Sequence, residues 1–112
     1  MKMTPMNEVT INVKCVGSAV TITVDPFQAH VKVGESMVWH VHANADVDEL
    51  SINAVGDKWP FTDALPYKSK KNKAAQVKQR KGDWNSGDTA KYQISATCKG
   101  NLFVLDPDMI VD

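Results

Sequence analysis

Two histidines placed two residues apart offer the clearest metal-binding chemistry in this sequence. His40 and His42 lie in MVWHVHA, where alternating side-chain character predicts a strand. Residues i and i+2 of a strand point to the same face, about 7 Å apart at a rise of about 3.3 Å per residue. Both imidazoles could therefore bind one metal ion, with a third ligand from another part of the chain. The alternative is the solvated face of an ordinary strand.

A lysine-rich segment is the second candidate site. Seven basic residues and no acid lie between positions 68 and 81, namely Lys68, Lys70, Lys71, Lys73, Lys78, Arg80 and Lys81. The chain as a whole has 13 basic and 13 acidic residues, so its zero net charge hides an acidic remainder. An electropositive loop of this kind could bind a polyanion or an acidic protein, or associate with the acidic surface of a second copy.

Aromatic residues flank the lysine-rich segment, and Trp59, Tyr67 and Trp84 could add contacts by stacking. The alternative is a solvated loop whose aromatic side chains fix it to the rest of the domain. No RNA-binding signature accompanies the lysines, so we do not expect nucleic acid as the partner.

Two cysteines occupy similar positions in two similar segments. Cys15 and Cys98 are each followed two residues later by a glycine, Gly17 and Gly100, which indicates two hairpins of similar construction. Alternation directs both cysteines inward. They could be buried thiols that pack as small apolar residues, or they could form a disulfide between the hairpins. The cysteine count does not fix the redox compartment.

The elements that would position these residues are short strands. Alternating segments separated by Gly and Asp-Pro turns, with only a weak helical pattern at 71–80, predict an all-β, antiparallel Greek-key β-sandwich of about seven or eight strands. At 112 residues the chain is one domain, 1–112, and a Pro-, Gly- and Lys-rich stretch at about 56–88 predicts one long loop excursion out of the sheet. The predicted core consists of Val9, Ile11, Val13, Val20, Ile22, Val24, Val33, Met37, Trp39, Val41, Ile52, Tyr92, Ile94, Ala96, Phe103 and Leu105.

Three segments together carry a resemblance to a known superfamily. The stretch VKVGESMVWHV, the later strand YQISATC and the ending LDPDMIVD resemble the cupredoxin-like, Ig-like sandwich, and especially its small uncharacterised bacterial members. In copper-binding relatives two imidazoles, a thiolate and a weak axial thioether bind the metal. Cys98 would be the thiolate, but no histidine follows it and Met109 comes eleven residues later. The resemblance therefore implies a copper-free member without a cofactor.

Several functions are disfavoured by what the sequence lacks. No nucleophile elbow, phosphate-binding glycine loop or Cys–His pair is present, so we do not expect an enzyme. No apolar run is long enough for a membrane span, and no export signal is visible at the start, which favours the cytoplasm. We expect a binding or accessory module whose contact surface is the 59–84 loop. Metal binding by His40 and His42, and polyanion binding by the lysine segment, are the alternatives.

Overall fold

Every regular element in the described part of the chain is a β-strand. The computed structural model describes residues 7–17, 19–32, 35–56, 58–77 and 84–112. These ranges contain ten strands, more than the seven or eight expected. The strands are β1 (Glu8–Val16), β2 (Ala19–Asp25), β3 (Gln28–Val31), β4 (Met37–Val41), β5 (Glu49–Val55), β6 (Tyr67–Lys70), β7 (Ala75–Val77), β8 (Thr89–Cys98), β9 (Asn101–Leu105) and β10 (Asp108–Val111).

The strands form two packed sheets, which confirms the predicted β-sandwich. The first sheet has the order β2-β1-β4-β7, and the second has the order β3-β10-β8-β5-β6, with β9 also paired to β8. Both sheets are mixed, because β1 pairs with β4 and β3 pairs with β10 in parallel. The chain leaves the first sheet after β2 and returns to it at β4. A strand that returns by a crossover, rather than by a hairpin, can run parallel to its neighbour, and so the antiparallel prediction fails at these two pairs.

The interior agrees with the alternation of the sequence on the central strands. Val9, Ile11 and Val13 on β1 and Tyr92 and Ile94 on β8 are all fully buried. Four predicted core residues are only partly buried, and all of them lie on edge strands, namely Val20, Ile22, Phe103 and Leu105. An edge strand is covered by a neighbour on one side only, which leaves its inward side chains partly open to solvent. Val33 lies outside the described residues.

The predicted excursion at 56–88 is wrong in its middle part. The chain there forms β6 on the edge of the second sheet and then β7 on the edge of the first sheet. Ala75–Val77 is a strand, so the helical pattern predicted at 71–80 is wrong for these residues. Both strands are very short, and the lysine-rich composition of β6 and of the turn before β7 is typical of a loop. Tertiary packing, rather than local propensity, therefore decides their conformation.

A buried hydroxyl group joins the two sheets beside β6. Ser69 is fully buried, and its Oγ donates a hydrogen bond of 2.7 Å to the backbone carbonyl of Trp39 on β4. Because β6 and β4 belong to different sheets, this bond fixes the position of the lysine-bearing strand on the sandwich.

Ser69→Ala should lower the free energy of unfolding by about 1–3 kcal/mol, because a buried hydrogen bond is lost. Ser51→Ala is the matched control, since its hydroxyl accepts a hydrogen bond from the exposed Lys68 ammonium. We expect the control to change stability by less than about 0.5 kcal/mol. Urea unfolding of both variants measures the difference, and equal midpoints would contradict the role given to Ser69.

Candidate functional site

The structure gives each predicted metal-binding histidine a separate partner. His40 Nε2 lies 3.3 Å from Glu8 Oε1 on the neighbouring strand β1. His42 follows the end of β4, and its Nδ1 accepts a 3.0 Å hydrogen bond from the backbone N–H of Asn44. Within the described ranges no group of three or more His, Cys, Asp or Glu side chains could hold a metal ion. The third ligand that His40 and His42 would need is therefore not found among these residues.

The two cysteines form a disulfide between the sheets. Cys15 lies on β1 in the first sheet and Cys98 on β8 in the second, with a Cα–Cα distance of 6.0 Å. The backbone N–H of Cys15 donates a 2.8 Å hydrogen bond to the carboxylate of Asp46, which follows β4. Of the two alternatives left open by the sequence, the structure therefore contains the covalent one, and neither sulfur is a free thiol.

The lysines of the described segment form one exposed surface. This lysine face consists of Lys68, Lys70, Lys71 and Lys73. Alternation along β6 places Tyr67 and Ser69 inward and the two intervening lysines outward. Lys71 and Lys73 follow in the turn that leads to β7. The other basic residues predicted for this surface, Lys78, Arg80 and Lys81, lie outside the described residues.

Two acids, one just before β5 and one at its first residue, lie next to the lysine face. Glu49 is 3.7 Å from Lys68 and 3.6 Å from Lys70, while Asp48 is 3.7 Å from Lys71. These ion pairs are exposed, and exposed pairs contribute little to stability, typically about 0–1 kcal/mol. Four lysines against these two paired acids leave an excess of two positive charges, and Asp63, which lines a depression together with Lys68 and Lys73, reduces that excess to one.

The aromatic residues predicted to contact a partner are instead part of the core. Trp59 and Tyr67 are only 6% and 7% exposed. They surround Trp39, with ring centroids 6.5 Å and 5.8 Å from it. Phe61 and Tyr92 complete this aromatic cluster at 6.5 Å and 5.4 Å from Trp39. The prediction that Trp59 and Tyr67 form a contact surface is therefore wrong, because burial of these large rings outweighs the loop-like composition around them.

Trp84, the third predicted aromatic contact, is partly buried and packs against the hydrophobic core. The signal that could have placed the Tyr67 ring inward is the alternation in YKSK, in which Tyr67 and Ser69 share the inward face. Four residues are too few for that pattern to stand out in the sequence.

The aromatic cluster contains polar groups with unusual surroundings. Trp59 Nε1 donates a 2.9 Å hydrogen bond to the Tyr67 hydroxyl, which itself donates to the carbonyl of Asp63. By contrast, the indole N–H of Trp39 and the hydroxyl of Tyr92 are both buried without a hydrogen bond of normal geometry. Burial raises the pKa of Tyr92 to about 12, although the nearby Trp39 indole opposes the shift. Burial also raises the pKa of Tyr67, against the opposing effect of the Trp59 hydrogen bond.

Both tyrosines should resist ionisation in the folded protein. The chain has two tyrosines in all, so absorbance at the phenolate wavelength reports on Tyr67 and Tyr92 together. Unfolded tyrosine ionises near pH 10. A pKa that is higher in the folded state favours folding below pH 10, and this contribution is lost as the pH rises toward 12. We therefore expect less phenolate absorbance at pH 10.5 in the folded protein than after unfolding in urea, and equal absorbance in both conditions would contradict the burial.

Cleavage of the disulfide should destabilise the sandwich. Cys15 and Cys98 are 83 residues apart, and closing a loop of that length restricts the unfolded chain strongly. Cys15→Ser with Cys98→Ser should lower the free energy of unfolding by about 2–5 kcal/mol. A thiol count of zero in denaturant without reductant is expected for the parent protein, and a count of two would contradict the bond.

Comparison with known proteins adds no relative to this description. No protein-family model matches the chain, and no curated protein matches it. No helix in the described residues is long and apolar enough to cross a membrane.

Proposed function

We propose that this chain is a copper-free binding module of the cupredoxin-like type, which binds an acidic protein partner through the lysine face. One observation carries the proposal, namely that four exposed lysines lie together on β6 and the following turn, and that among the described residues they form ion pairs with Glu49 and Asp48 alone. Because Tyr67 and Ser69 anchor the same strand in the core, the lysines are held on a fixed backbone. A fixed array of like charges attracts a partner of opposite charge and speeds its association.

An open depression lies next to the lysine face and favours a protein partner. It has a volume of about 540 Å³, and Lys68, Lys73, Gln76 and one acid, Asp63, are among its lining residues. A carboxylate side chain of a partner would have two ammonium groups within reach there. Nucleic acid fits less well, because single-strand binding uses exposed aromatic rings for stacking, and Trp59 and Tyr67 are buried.

The copper-free part of the proposal is supported by the chemistry of Cys98. A blue-copper centre requires a cysteine thiolate. The sulfur of Cys98 is bonded to Cys15, so it has no thiolate to offer while the disulfide is intact. A disulfide of this kind is typical of oxidising compartments, and we therefore propose such a compartment in place of the cytoplasm that the start of the sequence favoured.

Charge reversal on the lysine face tests the proposed function. Polyglutamate serves as the acidic probe, and its affinity for the protein is measured by fluorescence anisotropy at low salt. We expect Lys70→Glu with Lys73→Glu to weaken binding at least about 10-fold, because attraction is replaced by repulsion. The matched control is Lys32→Glu with Lys91→Glu, which makes the same change in net charge. Both lysines are exposed, one just after β3 and the other on β8.

The control separates a local surface from a general charge effect. Equal weakening by both double variants, or no binding of polyglutamate by the parent protein, would contradict an acidic-partner site on the lysine face. Binding of heparin with no binding of polyglutamate would instead support the polyanion alternative.

A further inference from the structure

Strand β9 exposes apolar side chains on an edge of the second sheet. Leu102 is 67% exposed and Val104 is 51% exposed, although both belong to a regular strand. They point to the outer face of the sheet, while Phe103 and Leu105 turn toward the core. Exposed apolar side chains on a strand edge are typical of an interaction surface.

The backbone of β9 is open along its outer side. Residues 101–105 pair only with β8, and β10 continues the same register, since Ile94 faces Leu105 and Lys91 faces Asp108. The outer side of β10 is covered by β3, which pairs with residues 108–111. Among the described residues, no strand pairs with the outer side of β9.

The register identifies which backbone groups face outward. Lys99 and Gly100 both have positive φ, 49° and 82°, which is typical of a two-residue type I′ turn. Cys98 and Asn101 flank this turn, and their backbones form hydrogen bonds to each other. Hydrogen-bonded and non-hydrogen-bonded residue pairs then alternate along the hairpin. The bond from Tyr92 N–H to the Pro107 carbonyl follows the same alternation. The N–H and C=O groups of residues 102 and 104 therefore point away from β8.

This edge lacks the protection that the opposite edge of the same sheet has. On β6 the outward side chains are Lys68 and Lys70, and charged residues of this kind prevent pairing with another strand. The sequence of β9 is NLFVL, without charge or proline. The edge strand β2 of the first sheet differs as well, since its exposed Thr21 and Thr23 are polar.

We propose that β9 pairs antiparallel with β9 of a second copy of this chain and extends the second sheet across a two-fold axis. Centred on Phe103, this pairing puts Leu102 of each copy beside Val104 of the other. Both residues have outward backbone groups, so they form hydrogen-bonded pairs, while the two Phe103 residues face each other between them. An isologous contact of this kind closes on itself and stops at a dimer.

The charges at the ends of β9 favour a second copy as the occupant. Lys99 precedes the strand and Asp106 follows it, and both are exposed. Within the described ranges neither side chain takes part in an ion pair. Antiparallel pairing centred on Phe103 brings Lys99 of one copy to the end of the strand where the other copy has Asp106. A strand with a cation before it and an anion after it is thus complementary to itself in this orientation.

The hairpin that carries β9 is fixed before association. The disulfide holds Cys98, one residue before the turn, to the first sheet. Because the strand is already ordered, pairing does not have to order it, and this reduces the entropic cost of binding. A single strand pair nevertheless buries less than the roughly 1,200 Å² of stable complexes, so we expect a weak dimer that dissociates on dilution.

Sedimentation equilibrium over a micromolar-to-millimolar dilution series tests the proposal. We expect the parent protein to rise from the monomer mass of 12.3 kDa toward twice that value. Val104→Lys should remain monomeric, because it places a charge on the paired edge. The control is Val55→Lys. Val55 is an exposed valine at the end of β5, where it pairs with Lys91 on β8 rather than with β9, and this variant should dimerise like the parent protein.

Two further variants test strand pairing itself. Leu102→Pro removes an outward N–H without removing a bond to β8, and it should abolish the dimer while thermal unfolding still shows a folded monomer. Lys99→Asp and Asp106→Lys should each weaken the dimer, and the double variant should restore it. A parent protein that stays monomeric at millimolar concentration would overturn the proposal, as would dimers that survive both Val104→Lys and Leu102→Pro. Neither result would bear on polyglutamate binding by the lysine face.

Discussion

The burial of Trp39 is the interaction on which the rest of this sandwich depends. Its ring is fully buried between the sheets and contacts four other aromatic rings. Rings of this size each bury about 150–250 Å². The segment from Trp59 to Tyr67 supplies three of the covering rings, those of Trp59, Phe61 and Tyr67, on the side where β6 and β7 close the two sheets. The lysine face exists because of this packing, since the strand that turns Tyr67 inward must turn Lys68 outward.

The disulfide fixes the part of the sandwich that the aromatic cluster does not reach. Trp39 pairs with Val9 on β1, and Cys15 lies six residues further along that strand, about 20 Å away at strand spacing. There the inward residues are small or partly exposed, so hydrophobic burial is weaker. A covalent bond between β1 and β8 keeps the sheets together at that point. This bond uses the Cys98 sulfur, which a blue-copper site would need as a thiolate. The same disulfide therefore stabilises the fold and supports the proposed lack of copper.

The sequence predicts the parts of this structure that depend on long alternating patterns. The strands around Ile11 and Ile94 are long enough for alternation to identify their inward residues. The short strands β6 and β7 are not recognisable in the sequence, and the burial of Trp59 is therefore not predicted either. The parallel pairing of β1 with β4 depends on where the chain crosses between sheets, which no local pattern records. The disulfide depends on a Cα–Cα distance between residues far apart in sequence, so the cysteines alone could only leave it open. Among the candidate sites, the exposed lysines follow from local charge, whereas the aromatic contacts fail because burial is a property of the whole fold.

Two edge strands of the second sheet, β6 and β9, both have unpaired backbone groups but differ in their outward side chains. Any edge strand presents unpaired backbone groups, and in water these invite another strand. On β6 the outward lysines make pairing unfavourable, because two such edges would bring like charges together. On β9 the outward Leu102 and Val104 make pairing favourable, because they remove apolar surface from water. The lysines of β6 therefore suit a partner that forms ion pairs with them. The uncharged edge of β9 suits a partner that forms backbone hydrogen bonds with it. The two proposed contacts would therefore be independent, since the side chains of each edge disfavour the mode of binding proposed for the other.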